Sequence, residues 1–558
     1  MIERKASPYD DRIYTAAWRA WQDPEIPERF NPVDHLLARA RAAADPANPV
    51  LISDGQGYSV DAFETLVARF GAALRAVGAQ PGERLLLFGT DSLEYVATWL
   101  GAVRVGIIPV VVSDLYKAPD LLYFLEDTGA ATLYLDGEQA GKLATIGAQL
   151  PRSLRRVVLR GAPEAELDDV RAAADLHPLD ALLDSPASDA TESPSWEWHA
   201  NDVCYMFYSG GTTGKAKGIT HLAHDFFIVP ARQGAYWNYH AGDVVYASSR
   251  KYFTHGIWPG VLIPLAHGAT VVIDRRGPAP DVIFELIERH RVTKFITVPT
   301  ILKNMLVEGR ESRRRPDLGS LELVISASEK ISREVFEDFE AMFGAEILDS
   351  IGSSEITYEW IANRPEDSRR GSLGKPVFGY EIRLVDANGE DVTTPDTPGE
   401  AWVKSRTSCF YYWRKFDKSR ETFIGPWTRT GDNLMFDEDG FFWFAGRDND
   451  VFKVKGLWVS PIPIEEAVAR HDAVLEAAVV SYQDGDGLTK PRCFVVLHND
   501  HADQAGAALE VELAALVKPL GGYMVPAEFH FVGALPRTTL MKIDRKCLRD
   551  SPQDYIAV

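Results

Sequence analysis

Tyr208-Ser-Gly-Gly-Thr-Thr-Gly-Lys-Ala-Lys-Gly-Ile-Thr-His221 is the stretch of this chain whose residue types could hold a polyphosphate. Gly210, Gly211, Gly214 and Gly218 free the backbone to turn successive N–H groups toward one anion. Ser209, Thr212 and Thr213 add hydroxyl donors, and Lys215 and Lys217 add positive charge. The competing reading is a Gly/Ser/Thr linker with two solvated lysines. The pattern is no Walker A loop, which would need glycine at Ser209 and Ser or Thr at Ala216, and it is no G-x-G-x-x-G either.

Four further segments carry chemistry-bearing residues. Asp349-Ser-Ile-Gly-Ser-Ser-Glu355 follows a predicted strand, and a carboxylate there beside a polyphosphate could carry Mg²⁺, which prefers carboxylate and phosphate oxygens. A helix-capping carboxylate is the alternative. In Thr428-Arg-Thr-Gly-Asp432 the aspartate could accept hydrogen bonds from both ribose hydroxyls. Gly446-Arg-Asp-Asn-Asp450 is polar and tolerant of unusual backbone angles, as a hinge requires. Leu535-Pro-Arg-Thr-Thr-Leu-Met-Lys-Ile-Asp-Arg545 places Lys542 near the C-terminus, where a solvated lysine is the plain alternative.

In this order, over roughly residues 50 to 550, the five segments resemble the motifs of the adenylate-forming superfamily, which includes acyl-CoA synthetases, peptide-synthetase adenylation domains and luciferases. Within it the chain looks most like the benzoate-CoA ligase group of aryl- and cyclic-acid CoA ligases, through Phe30-Asn-Pro-Val-Asp-His-Leu-Leu, Asn363-Arg-Pro-Glu-Asp and Gly456-Leu-Trp-Val-Ser-Pro. The resemblance implies an ATP-dependent, AMP-forming ligase that activates an aromatic or bulky cyclic acid as its adenylate, then transfers the acyl group to CoA. It implies Lys542 and Glu355 as catalytic residues, with Mg²⁺ held by Glu355 and Thr212. ATP or AMP would be bound by the 209–214 residues, Lys217, Ser350, Ile351, Gly352, Ser354, Asp432 and Arg447. The acyl pocket would draw on Phe253, Thr254, His255, Ala327, Ser328, Ile351 and Ile356. CoA would meet Lys453, Lys455, Gly456, Leu457 and Trp458, and Asn449 would be the hinge.

Several positions depart from the family pattern. Ile351 stands where tyrosine is common, Asn449 where Asp or Lys is usual, and Met541 where glycine precedes the catalytic lysine. His255 replaces an aromatic residue, with a packed core histidine as its alternative, and Ser328 replaces a glycine. Three other functions therefore stay open: thioesterification alone from a supplied adenylate, loading of a carrier-protein phosphopantetheine, and nucleotide binding without catalysis.

These residues need elements to position them. Short apolar runs alternate with amphipathic stretches from 49 to 135 and again from 244 to 349, the rhythm of parallel sheets covered by helices. Hairpin-like runs appear beyond about 375, and the last hundred residues form a compact αβ pattern. The expected fold is α/β: a large N-terminal domain (1–446) of αβ subdomains with parallel sheets plus a β-rich part, a hinge (447–450), and a small mobile α+β domain (451–558) carrying Lys542. Residues 1 to about 30 read as a peripheral lead-in, and the glycine stretch as a loop between a strand and a helix starting near His224.

At 558 residues the chain needs more than one core. A net charge of −21 with no long basic run argues against nucleic acid or anionic membrane partners. The four scattered cysteines fit neither a zinc site nor a disulfide framework. No apolar run reaches membrane-span length and the N-terminal residues are polar, so a cytoplasmic location is expected. Homodimerisation is common among proteins of this kind.

Overall fold

The computed structural model describes Tyr9 and residues 12–186, 195–211, 214–311, 316–329, 331, 333–447, 450, 452–455, 457–485, 487–538 and 543–555. Two large sheets dominate. One has seven strands, in the order 214–222, 203–211, 108–111, 84–88, 132–136, 156–160 and 175–178; apart from its first strand it is parallel. The other has nine strands, with a parallel centre built from 347–352, 323–326, 294–297, 244–247, 270–273 and 51–53. Leu85, Leu86, Leu87 and Phe88 are all buried, as strands covered on both faces require.

The covering helices follow directly from local sequence. Asn31 and Ser59 accept backbone hydrogen bonds at the starts of helices Pro32–Ala43 and Val60–Ala76, and Ser92 does the same for Leu93–Arg104. Phe63, Val67, Phe70 and Leu74 recur along one helical face and are buried. Helices Val60–Ala76 and Leu93–Arg104 meet at glycines: a Cβ on Gly101 would lie 2.7 Å from the Gly71 nitrogen.

A third, antiparallel sheet contains Glu381–Val385, Gly399–Lys404, Phe423–Ile424, Trp427–Phe436 and Phe442–Arg447. Arg447, assigned to the hinge by sequence, is still paired in this sheet, opposite Asp432. Further on, Phe452–Val454 and Leu457–Val459 form a hairpin, and 474–483, 489–497 and 528–531 form a three-stranded sheet with helices Pro461–Val468 and Ala507–Val517 packed on it.

Two expectations are corrected. The lead-in is structural: Tyr9, Ile13 and Tyr14 are buried, the Tyr14 hydroxyl accepts from the Ile382 N–H at 2.8 Å, and the Trp18 indole donates to the Val377 carbonyl at 3.0 Å. Aromatic residues that looked merely polar-flanked thus staple the chain start to the third sheet. The glycine stretch, for its part, does not run from strand to helix. Val203–Gly211 and Gly214–Leu222 pair antiparallel, so the glycines sit around a hairpin end, and helix Asp225–Tyr236 follows the returning strand. Lys215 and Lys217 hid that second strand by making it read as polar loop. No helix among the described residues is long and apolar enough to cross a membrane.

Candidate active site

Hairpin geometry sets Lys217 opposite Ser209. The hairpin is braced toward its turn. Tyr208 donates its hydroxyl to Asp127 at 2.7 Å, Lys415 takes the other Asp127 oxygen at 2.7 Å, and Tyr123 donates to the Ala216 carbonyl at 2.7 Å. Gly218 lets the neighbouring loop come close, since a Cβ there would stand 2.9 Å from the Tyr208 ring and 3.0 Å from Trp413. Trp413 donates its backbone N–H to the Gly218 carbonyl at 2.7 Å, and Tyr412 bridges to Ile219. The loop therefore lays the Tyr412 ring against the Lys217 ammonium, 4.4 Å from the ring centroid.

Tyr412 also donates its hydroxyl to Glu355 at 2.8 Å, which joins the hairpin to the second motif. Glu355 stands in the turn Ser354–Ile356 just after strand Ile347–Gly352, at the carboxyl end of a parallel sheet where ligands of open α/β folds bind. The next residue but one, Thr357, has φ +83°, a strained angle for a β-branched residue. Its hydroxyl donates to the Thr407 carbonyl at 2.8 Å, holding the turn that presents Glu355.

The third and fourth motifs meet on the antiparallel sheet. Arg447 donates from Nε to Asp432 at 3.0 Å, and the Asp432 side chain is buried. Asp432 first, and Asp450 and Glu355 after it, raise the Arg447 pKa against the opposing effect of burial. Lys217 is pushed the other way: burial lowers its pKa, Glu355 partly restores it, and Arg447 lowers it further. Lys217, Glu355, Arg447 and Asp432 thus share one electrostatic neighbourhood, although 215 residues separate Lys217 from Asp432 in the chain. A half-buried lysine and a solvent-accessible arginine with carboxylates beside them, near the end of a sheet, suit a bound polyanion bridged by a cation.

Other expected nucleotide residues lie alongside. Ser350 is buried and donates to the Ser326 carbonyl at 3.0 Å, so its hydroxyl ties two strands together. Ile351 and Ser354 are half-buried. Gly352 must be glycine, because a Cβ would lie 2.6 Å from a Glu359 oxygen and 2.8 Å from the Tyr358 carbonyl. Thr212, Thr213, Asn449, Gly456, Met541 and Lys542 fall outside the described residues. Residues flanking Lys542 are fixed, with Arg537 bridged to Ile543 and Arg545 donating to both Glu465 oxygens at 2.8 and 2.7 Å.

Of the proposed acyl walls, Thr254, His255, Ala327 and Ile356 are buried, and Phe253 and Ile351 are half-buried against the core. Ser328 is exposed with φ +75°, a backbone angle that favours glycine. The structure thereby explains why a glycine suits this position and shows that the serine is held under strain. His255 is paired through both ring nitrogens, at 3.2 Å to Glu359 and 3.0 Å to the Thr297 carbonyl. Lys453, Lys455 and Leu457 are exposed on the 452–459 hairpin, Lys455 at φ +50° in its turn.

Sequence reasoning missed Tyr412 and Glu359. Tyr412 belongs to the aromatic run Phe410-Tyr-Tyr-Trp413, a signal in itself, since such a cluster on a loop wants a surface to cover. Glu359 opens an otherwise apolar, fully buried strand, Glu359–Ala362, where an acidic residue needs a reason.

A glycine-rich hairpin, a strand-end carboxylate and an Asp–Arg pair gathered in one electrostatic neighbourhood are the arrangement of an adenylate-forming enzyme. The chain belongs to the AMP-binding enzyme family, whose model matches residues 38–413, with the AMP-binding enzyme C-terminal domain matching residues 463–542. It is 36% identical over 533 residues to the benzoate–CoA ligase of Thauera aromatica, covering 94% of this chain and 97% of the relative. It is 33% identical to the 4-hydroxybenzoate–CoA/benzoate–CoA ligase of Rhodopseudomonas palustris, over 93% of each. Among solved structures it resembles an anthranilate CoA ligase in complex with anthranoyl-AMP, with a TM-score of 0.84 and 31% identity over 95% of this chain and 98% of the other.

Proposed function

We propose that the protein activates an aromatic carboxylic acid with ATP to an acyl-adenylate, releasing pyrophosphate, and then transfers the acyl group to the thiol of CoA. The observation that carries this reading is the convergence of Lys217, Glu355, Asp432 and Arg447 in one electrostatic neighbourhood. Full-length similarity to ligases of benzoate, hydroxybenzoates and anthranilate supports the aromatic acid.

Adenylation brings a carboxylate against the α-phosphate. Two like charges 4 Å apart repel by about 4 kcal/mol at an effective dielectric near 20, a barrier of about three powers of ten in rate. Lys217 lowers that cost by holding phosphate oxygens, its ammonium kept in place by the Tyr412 ring. Asp432 accepts from the ribose hydroxyls, and Arg447, anchored on Asp432, faces the nucleotide. Glu355, with one oxygen engaged by Tyr412 and set beside cationic side chains that a triphosphate would occupy, is a suitable carboxylate donor for Mg²⁺, with Thr212 as its partner. When bound there, Mg²⁺ supplies charge neutralisation of the phosphates.

The chain divides at 447–450 into a nucleotide- and acyl-binding domain and a C-terminal lid that brings Lys542 to the reacting carboxylate and α-phosphate. Rotation about Asn449 then withdraws Lys542 and turns the 452–459 hairpin, with Lys453 and Lys455, toward CoA. The test is acyl-CoA formation by the purified protein with MgATP, CoA and separate panels of aromatic and medium-chain aliphatic acids, read by mass spectrometry. Aromatic acids should give the acyl-CoA and AMP; turnover confined to aliphatic acids would refute the reading.

A further inference from the structure

Glu359 is 2% exposed and His255 is 6% exposed, and the nucleotide chemistry above uses neither. They pair through His255 Nδ1 and Glu359 Oε1 at 3.2 Å, which ties Glu359 to a residue of the proposed acyl wall. The other ring nitrogen, Nε2, lies 3.0 Å from the Thr297 carbonyl, which can only accept, so Nε2 carries a hydrogen. One proton therefore lies between Nδ1 and Oε1, on the ring or on the carboxyl group. In both arrangements Oε2 bears no proton and is an acceptor. Among the described residues Oε2 has no hydrogen-bond partner, and it is fully buried. Oε2 packs against Gly352, the strand partner of Glu359 and a residue of the 350–354 segment, where a Cβ would stand 2.6 Å away. A buried acceptor with nothing to accept from is costly, unless a ligand supplies the donor.

Resting on the assignment of this site to an aromatic acid, we propose that Glu359 Oε2 is a specificity determinant for acids whose ring bears a hydroxyl or amino group. The N–H or O–H of that group donates to Oε2, while His255 holds the carboxyl in place from behind. Unsubstituted benzoate leaves the oxygen unpaired and binds less well. Glycine at 352 leaves room for the carboxylate itself, which a side chain there would displace.

The experiment measures kcat/KM for AMP release, with MgATP and CoA, on benzoate, the three monohydroxybenzoates and the three aminobenzoates. At least one substituted acid should exceed benzoate by about 10- to 100-fold, mainly through KM, the range a hydrogen bond to a charged group supplies. The His255→Phe/Glu359→Leu double variant, an apolar pair of similar size, should bring that ratio close to one. Glu359→Gln should keep a preference, since its amide N–H can donate to Nδ1 while its carbonyl remains the acceptor. Benzoate turnover equal to that of every substituted acid in the native enzyme, or a preference that survives the double variant, would overturn the role of Glu359 alone. AMP release with no aromatic acid would overturn both this role and the assignment of the site.

Discussion

Asp432 illustrates how a weak sequence signal becomes a strong structural one. Thr-Gly-Asp is common in loops, yet here the aspartate is buried in a strand, tied to Arg447 at 3.0 Å, and within the field that reaches Glu355. Asp432→Ala should lower kcat/KM for ATP by about 10- to 100-fold, since hydrogen bonds to charged groups are each worth about 1.5–3 kcal/mol; unchanged ATP kinetics would remove Asp432 from the ribose site. Lys217 makes a pH prediction. Burial is the largest influence on it and lowers its pKa, so its charge is lost at a lower pH than that of a solvated lysine. The KM for ATP should therefore rise on the alkaline side earlier than an ordinary lysine would allow, and Lys217→Arg, which stays charged, should move that limb to higher pH. A limb that does not move would mean that Lys217 does not hold phosphate.

Among the elements, the lead-in makes the most testable claim. The Tyr14 hydroxyl accepts from the Ile382 N–H at 2.8 Å inside the third sheet. Tyr14→Phe leaves that buried donor unpaired, and should cost about 1–3 kcal/mol in denaturant unfolding. No loss would return the lead-in to the periphery. Much of the sheet framework was legible: strands at 84–88, 244–247, 270–273 and 323–326 stand where continuous apolar runs predict them, because buried parallel strands are apolar on both faces. The strand at 214–222 was not legible. Its lysines lie over two tyrosine rings, Lys215 on Tyr123 and Lys217 on Tyr412, so charge replaced the apolar pattern that marks a strand. Glu359 and Tyr412 escaped for a related reason: each acts through a partner distant in sequence, and no spacing records that.

For the molecule as a whole, the two half-reactions make incompatible demands. In the proposed mechanism Lys542 covers the carboxylate during adenylation, and the thiol reaches the same carbon afterwards. Asn449→Pro, which fixes one hinge angle, should leave acid-dependent pyrophosphate release intact and reduce acyl-CoA formation by at least about tenfold; equal loss of both would argue against an alternating lid. Met541, a bulky neighbour of Lys542 at a position where the family resemblance implies glycine, predicts that Met541→Gly speeds adenylation more than thioesterification.

The central claim is that this cleft makes an acyl-adenylate from an aromatic acid. Its most direct test is acid-dependent exchange of labelled pyrophosphate into ATP with CoA omitted, run with benzoate, hydroxybenzoates and aminobenzoates. Exchange that appears only with acid and Mg²⁺, and falls in Asp432→Ala and Lys542→Ala, is the predicted result. Tight ATP binding without exchange for any aromatic acid would contradict the claim.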